Sequence, residues 1–348
     1  MHLEPPLRIG IIGAGNIAQT AHIPGYLSYR QPVVIEAVCS RSRERMQEVA
    51  DRFGIAHTFT SLDEMFSRCR LDAVSVCTPN AYHAEGTLKA LEAGCHVFCE
   101  KPPAFTAAQA TAMAAKATEK KRILAYNLTQ RQMPEITALK KLIDAGELGK
   151  LYHLKASFLR RRGIPGWGSF TNREIQGGGA LIDIGIHILD LALHLCNYPP
   201  LLNTLASTYD HIGKAGGQGD LGSWNGAAFT VEDACFAHLV LHGGTSITLQ
   251  TAFALNTEPS RLFNLELFGT KAGATLSPFK VFTVEGSELA YQQIALQENA
   301  ADIQHQSVHR FLDACHGIDT NLCTAEEGAA LQGVIERVYE ASCLEPLS

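Results

Sequence analysis

The stretch Leu7-Arg8-Ile9-Gly10-Ile11-Ile12-Gly13-Ala14-Gly15-Asn16-Ile17-Ala18 decides the fold of the first part of the chain. Its apolar first half predicts a buried strand, and its second half has the spacing G-x-G-x-x-A and opens a helix running toward Tyr26. In that spacing Gly13 permits a tight turn, Gly15 lets backbone N–H groups approach a pyrophosphate, and Ala18 lets helix and strand pack closely. The predicted dinucleotide-binding residues of the turn are Gly13, Gly15, Asn16 and Ile17.

The rest of the chain divides into two patterns. Strand and helix signals alternate up to Tyr126, which is typical of a doubly wound parallel sheet, and we predict a Rossmann domain over residues 1–126. Beyond it, strand-like segments at 152–159, 234–241, 245–253 and 262–268 include a hairpin turn at His242-Gly243-Gly244. Residues 127–348 are therefore predicted to form an α+β domain with a mostly antiparallel sheet. The glycine-rich, polar residues 211–225 predict either a mobile loop or the edge of a lid.

The end of the second strand bears on which dinucleotide binds. An acidic residue usually stands there and bonds the adenosine ribose. Glu36 lies in mid-strand, short of the carboxyl edge, so Ser40 occupies the acidic position with Arg41 and Arg43 beside it. A hydroxyl and a guanidinium would bind a 2′-phosphate, which a carboxylate would repel, and NADP(H) is therefore predicted over NAD(H). The alternative is that the two arginines only begin a solvated helix.

A lysine follows a later strand of the same sheet. Residues 74–77 and 97–99 predict two buried strands flanking a helix at 81–93, and the second strand ends in Glu100-Lys101-Pro102. Parallel strands present their carboxyl ends to the ligand crevice. Lys101 can therefore hydrogen-bond a substrate oxygen beside a bound cofactor. A strand-end lysine in solvent is the alternative.

One helix of the second domain carries ionisable residues at helical spacing. Gly177–Asp190 predicts a glycine-led helix on which Asp183, His187, Asp190 and His194 share one face. Neutral His187 could accept a hydroxyl proton, and Asp183 could bond the substrate or orient the imidazole. A polar face lining a domain interface is the alternative reading, favoured for Asp190 and His194. Nothing else marks a closed set of ligands, so no metal site is predicted.

Composition limits the classes of partner and location. The net charge is −6 and no basic stripe occurs, so no nucleic acid is expected as partner. The first six residues lack the features of a signal peptide, and no long apolar run indicates a membrane span. Ten cysteines without paired spacing favour a reducing cytoplasm over a disulfide framework.

These motifs together resemble the Gfo/Idh/MocA oxidoreductase family. The resemblance rests on residues 13–18, on Thr78-Pro79-Asn80 with His83, on Glu100-Lys101-Pro102, and on residues 178–190 with their D-x-x-x-H pattern, and it spans nearly the whole chain. It implies hydride transfer between a nicotinamide cofactor and a secondary alcohol or ketone of a sugar, cyclitol or related compound. It also implies a large open sheet in the second domain, which is often used for oligomerisation, so that a homodimer or homotetramer is expected.

The resemblance also assigns roles. Lys101, Asp183 and His187 resemble the family's catalytic group. The family's cofactor residues correspond to Thr78, Pro79, Asn80, His83, Glu100 and Lys101. Two other activities stay open, a dihydrodiol-type dehydrogenase and a non-catalytic nucleotide-sensing regulator. Either Arg160, Arg161, Arg162 and Trp167 line the substrate pocket, or they form a strand edge and a packed loop.

Overall fold

The computed structural model describes residues 5–294, 296, 302–318 and 320–342. Contacts divide the chain into two compact units, one of residues 5–132 with 302–329 and the other of residues 133–296 with 330–342. The division falls after Gln132 rather than after Tyr126, because the segment following Tyr126 is held in the first unit. There Arg131 is fully buried and donates hydrogen bonds to the Leu322 carbonyl oxygen and the Glu327 carboxylate.

The first unit contains a doubly wound parallel sheet, as predicted. Its strands are β1 (Leu7–Ile12), β2 (Val33–Cys39), β3 (His57–Phe59), β4 (Ala73–Val76), β5 (His96–Cys99) and β6 (Leu124–Tyr126). Its helices are α1 (Ile23–Leu27), α2 (Arg43–Phe53), α3 (Leu62–Arg68), α4 (His83–Glu92) and α5 (Ala107–Lys120). The strand order β6-β5-β4-β1-β2-β3 changes direction between β1 and β4. The crevice for a ligand therefore lies at the carboxyl ends of these strands.

Local signals account for the helix boundaries in this unit. The Ser42 and Ser61 hydroxyls accept the N–H groups of Arg45 and Glu64, and so cap α2 and α3. Gly54 ends α2 with a φ of 68°, a conformation that glycine adopts without strain. A π-helical turn, Ala18–His22, precedes α1 and continues the helix that opens at the glycine-rich turn.

The second unit is built around a large, mostly antiparallel sheet, also as predicted. Its helices are α6 (Pro134–Asp144), α7 (Arg173–Gln176), α8 (Ile186–Leu195) and α9 (His211–Ala215), with a π-helical turn Leu181–Gly185 before α8. Its strands are β7 (Leu151–Arg160), β8 (Leu201–Tyr209), β9 (Gly217–Gly219), β10 (Gly222–Trp224), β11 (Ala234–Leu241), β12 (Ser246–Ala252), β13 (Arg261–Gly269), β14 (Gly273–Leu276), β15 (Phe279–Glu285) and β16 (Glu288–Gln292). The eight-stranded sheet has the order β16-β15-β14-β13-β7-β12-β11-β8, in which β7 and β12 run parallel.

The prediction of a loop at 211–225 was wrong in detail. This stretch forms α9 and the hairpin β9–β10. Glycines at 216 and 222 adopt positive φ and turn the chain, while the buried indole of Trp224 donates to the carbonyl oxygen of Gly213. Composition alone did not distinguish a glycine-rich hairpin from an irregular loop.

The helical stretch Arg173–Leu195 is long and apolar enough to cross a membrane by length and composition alone. Its most apolar window is 83% buried inside the protein, and such burial is typical of a core helix. The stretch packs on β7, β12 and β13.

The chain returns to the first unit before it ends. Helix α10 (Ile303–Cys315) and strand β17 (Cys323–Thr324) belong to that unit, and β17 pairs antiparallel with β6. Helix α11 (Ala325–Ser342) begins there and continues in the second unit. Thr324 and Glu327 form a capping box, each side chain accepting the other's backbone N–H.

Candidate active site

The glycine-rich turn has the shape that a dinucleotide requires. Gly13 has a φ of 100°, and an added Cβ would lie 2.5 Å from the Cys77 carbonyl oxygen, so only glycine fits. A Cβ at Gly15 would meet nothing nearer than that same oxygen at 3.9 Å. Space is therefore open beside the backbone of Gly15, where the helix begins, while Ala18 is fully buried. These residues fit a bound pyrophosphate.

The edge next to β2 carries the residues predicted for the adenosine end. Ser40 directly follows the strand, and its N–H donates to the carbonyl oxygen of Phe59. Glu36 lies in mid-strand and is ion-paired with Arg8 at 2.8 Å. The Arg41 guanidinium lies 4.2 Å from the ring centroid of Tyr82, and Arg43 is exposed at the start of α2. Ser40, Arg41 and Arg43 thus follow this strand, and no carboxylate stands among residues 40–43.

Two loops at the carboxyl ends of β4 and β5 are joined by a histidine. The imidazole of His83 lies 2.7 Å from the Pro102 carbonyl oxygen through Nδ1 and 2.9 Å from the Thr78 carbonyl oxygen through Nε2. Burial lowers the pKa of His83, although both carbonyl contacts act in the opposite direction. His83 therefore holds the carbonyl oxygen of Thr78 near that of Pro102, the residue that follows Lys101.

Glu100 immediately precedes the candidate lysine and is buried. Burial alone would raise the pKa of its carboxyl, but hydrogen bonds from His22 and Asn127 lower it to about 2. The carboxylate accepts the backbone N–H of Lys101 at 3.2 Å. A fixed negative charge therefore lies directly beside the lysine at the strand edge.

The helix carrying Asp183 and His187 is anchored by a residue distant in sequence. The buried Glu232 carboxylate accepts the N–H groups of Gly179 and Leu181, each at 2.9 Å, and the hydroxyl of Tyr339 at 2.8 Å. Burial raises the pKa of Glu232 despite these hydrogen bonds. An added Cβ at Gly179 would lie 2.0 Å from the Glu232 carbonyl oxygen. The glycine is needed here for close packing of two backbones.

The four ionisable residues on that helix have different surroundings. Asp183 and His187 are partly exposed, whereas Asp190 is buried and accepts the Tyr198 hydroxyl. His194 is partly buried near the end of α8.

The three arginines at the end of β7 also separate. Arg161 and Arg162 donate to the carbonyl oxygens of Glu258 and Leu255, respectively, and so hold the loop between β12 and β13. Arg160 interacts electrostatically with Asp183; burial lowers the pKa of its guanidinium and the aspartate opposes that shift. The sequence did not distinguish Arg160 from its neighbours, because the electrostatic interaction with Asp183 is not local.

One group of possible metal ligands occurs among the described residues. Donor atoms of Glu36, His57 and Cys69 lie within 4.8 Å of one another. The Arg8 guanidinium already binds Glu36, and burial raises the pKa of the Cys69 thiol. Both features oppose a bound cation, and we assign no metal to this group.

The first unit is a parallel sheet with a dinucleotide-binding turn and a lysine at its edge. The second unit carries Asp183 and His187 on one helical stretch. These features define a nicotinamide-dependent oxidoreductase. The chain belongs to the GFO/IDH/MocA oxidoreductases. Residues 7–128 match the family's NAD-binding Rossmann fold, and residues 136–275 match its C-terminal domain. The protein is therefore an NAD-binding enzyme of the dehydrogenase and reductase type.

Characterised relatives act on sugars. D-glucoside 3-dehydrogenase of Escherichia coli (strain K12) is 38% identical over 97% of this chain and 95% of its own length. The 1,5-anhydro-D-fructose reductase of Ensifer adhaerens is 28% identical over 92% of each. A levoglucosan dehydrogenase structure in complex with NADH shares the fold, with a TM-score of 0.82 and 19% identity over 97% of each chain.

Proposed function

We propose that this enzyme oxidises a secondary hydroxyl of a glycoside, or reduces the corresponding ketone, with Lys101, Asp183 and His187 as its catalytic group. The observation that carries the proposal is the placement of Lys101 at the carboxyl end of β5, beside the loop that follows β4. The relative from Escherichia coli acts at position 3 of D-glucosides and covers nearly the whole chain, which supports a glycoside hydroxyl as the reacting group.

Each residue has a distinct task in this proposal. Bound nicotinamide supplies the acceptor or donor of the hydride. His187 takes the hydroxyl proton during oxidation and returns it during reduction. The Lys101 ammonium hydrogen-bonds the same oxygen and stabilises the negative charge that develops on it. Asp183 positions the sugar, and the positive charge of Arg160 interacts favourably with this carboxylate.

Turnover with a Lys101 variant tests the catalytic assignment. Absorbance of reduced nicotinamide is followed with glucosides, free pyranoses, cyclitols and dihydrodiols, using wild type, Lys101→Ala and the exposed Lys141→Ala as control. We expect Lys101→Ala to lose at least about 10³-fold in kcat, as for removal of an electrostatic stabiliser. Binding of NADPH, measured by calorimetry, should be nearly unchanged.

Three outcomes would contradict this function. A wild-type rate in Lys101→Ala would remove the lysine from the chemistry. Tight cofactor binding without turnover on any of the four substrate classes would favour the nucleotide-sensing regulator. Turnover confined to dihydrodiols would replace the sugar by the other substrate class considered above.

We further propose that NADP(H) is preferred over NAD(H). Ser40, Arg41 and Arg43 support this preference, as does the ion pair that engages Glu36 with Arg8. Ser40→Asp should reverse the ratio of dissociation constants by roughly tenfold or more, equal to about 1.4 kcal/mol. Arg45→Ala, on the same helix, serves as control. A wild-type enzyme that binds NADH more tightly than NADPH would refute the preference.

Assembly and location complete the proposal. One face of the large sheet carries exposed apolar side chains, including Leu205, which is 71% exposed, and Tyr291 and Val284. This face supports a homodimer or homotetramer, and light scattering of Leu205→Glu against wild type tests it; an unchanged mass would contradict this interface.

The described cysteines are all free thiols, which supports a cytoplasmic location.

A further inference from the structure

A continuous set of polar side chains lies buried behind the strand end that carries Lys101. Tyr26, His22, Ser75, Glu100 and Asn127 are between 0% and 7% exposed. The Tyr26 hydroxyl lies 2.6 Å from the Ser75 hydroxyl, which lies 2.8 Å from Nδ1 of His22. Nε2 of His22 lies 2.8 Å from Oε1 of Glu100, and Asn127 donates to that oxygen at 2.7 Å. The five side chains form one hydrogen-bonded chain.

The partners fix the direction of the hydrogen bonds to Glu100. Its carboxylate only accepts, so Nε2 of His22 and the amide of Asn127 donate to it. The Ser75 hydroxyl bridges Nδ1 of His22 and the Tyr26 hydroxyl. Burial raises the pKa of Tyr26 well above its usual value, so the phenol keeps its proton. Hydrogen bonds from His22 and Asn127 keep the Glu100 carboxylate ionised.

The position of this chain in the fold connects two parts of the cofactor edge. His22 lies in the π-helical turn that continues from the glycine-rich turn, and Ser75 lies on β4. Glu100 follows β5 and accepts the backbone N–H of Lys101 through Oε2. Burying a charged and several polar groups is costly, and apolar residues could fill the same volume without a penalty. The hydrogen bonds therefore serve placement more than stability.

We propose that His22, with Ser75 and Tyr26 behind it, is a positioning residue for Lys101, acting through the Glu100 carboxylate. The inference rests on the proposed catalytic function of Lys101. Removing the donor at His22 allows Glu100 to turn away, and the lysine loses its fixed position at the strand end. Displacement of a reacting group by about 1 Å can cost about 10²-fold in rate.

Two replacements of His22 separate position from bulk. His22→Met removes the Nε2 donor at similar volume, whereas His22→Gln can offer an amide N–H to Glu100. We expect His22→Met to lower kcat about 10²-fold. His22→Gln should recover most of that loss, to within roughly tenfold of wild type. The KM for the sugar and the dissociation constant of NADPH should stay within about twofold of the wild-type values. His96→Met, at the far end of β5, is the control and should keep the wild-type kcat.

A double-mutant cycle tests whether His22 acts through the lysine. In the Lys101→Ala background, His22→Met should leave the residual single-turnover rate unchanged, because there is no ammonium left to position. An equal loss in both backgrounds would overturn the inference, as would an unchanged kcat in His22→Met. A wild-type rate in Lys101→Ala alone would instead refute the proposed function.

Milder variants keep the test decisive if His22→Met does not fold. Tyr26→Phe and Ser75→Ala each remove one hydroxyl from the chain. Each should lower kcat about two- to tenfold with Lys101 present and not at all in Lys101→Ala. An NADPH dissociation constant that rises by the same factor as kcat falls would overturn the inference, since the residues would then serve nucleotide binding.

Discussion

Replacing Gly179 by alanine should damage the second unit far more than a typical glycine substitution. An added Cβ would lie 2.0 Å from the carbonyl oxygen of Glu232 and 2.9 Å from Cβ of Val231. The carbonyl oxygen of Glu232 belongs to the backbone, so it cannot move aside by a side-chain rotation. Three hydrogen bonds start from the same turn: the N–H groups of Gly179 and Leu181 bind the Glu232 carboxylate, and the N–H of Ala180 binds its carbonyl oxygen.

The expected loss follows from these two effects. Overpacking of a close-packed site costs about 1–3 kcal/mol. Lengthening three buried hydrogen bonds, two of them to a carboxylate, adds about 1–2 kcal/mol. We therefore expect the free energy of unfolding to fall by about 3–4 kcal/mol. Because Asp183 and His187 follow on the same helix, kcat should fall about 10²-fold as well.

Tryptophan fluorescence is a direct assay for this unit. The chain has two tryptophans, Trp167 and Trp224, and both lie in the second unit. Urea unfolding followed at tryptophan excitation therefore reports the unit that carries Gly179. Gly333→Ala is the matched control, since a Cβ there meets nothing within 4 Å and α11 is helical at that point. The control should gain about 0.5–1 kcal/mol. A loss below about 1 kcal/mol in Gly179→Ala would refute the packing argument.

Three further outcomes are expected. Glu100→Gln should lower the free energy of unfolding by about 3 kcal/mol at neutral pH, because the pKa of Glu100 in the folded protein is depressed to about 2. In denaturant titrations, the difference in free energy of unfolding between variant and wild type should become smaller as the pH falls below about 4.5. Glu327→Gln leaves the buried Arg131 guanidinium without its carboxylate and should cost about 3 kcal/mol in calorimetric unfolding, whereas a loss under 1 kcal/mol would contradict the pairing. Because burial lowers the pKa of His83, wild-type stability should decline as pH drops below about 6.5, and His83→Gln should reduce that slope by up to about 1.4 kcal/mol per pH unit; an unchanged slope would refute this.

The features predicted correctly from sequence are those with local causes. The turn at Gly13 and the hairpin turn at His242–Gly244 each depend on residues within a few positions of one another. The place of Lys101 also follows from one strand and the proline after it. Such patterns carry their conformational reason in the sequence itself.

The features that were missed depend on contacts between distant segments. Strand β17 has two residues and no visible period, and it exists because β6 offers it a partner. The ion pair between the buried Arg131 and Glu327 keeps the residues that follow Tyr126 in the first unit. The carboxylate of Glu232 lies more than fifty residues along the chain from Gly179 and Leu181, whose N–H groups it accepts, so no local pattern reveals it. Tertiary contacts of this kind override the weak local signals.

Two glycine-rich segments look alike in sequence but have different surroundings in the structure. In sequence, Gly13 to Gly15 and Gly178 to Gly179 both permit close approach of a ligand or of another backbone. In the structure the space beside Gly15 is open, whereas a Cβ at Gly178 would lie 2.0 Å from the Tyr339 hydroxyl. The first run thus leaves room for a dinucleotide, and the second is closed by the protein itself. A substitution at Gly15 should therefore act on cofactor binding, and one at Gly178 or Gly179 should act on the stability and placement of the helix that carries Asp183 and His187.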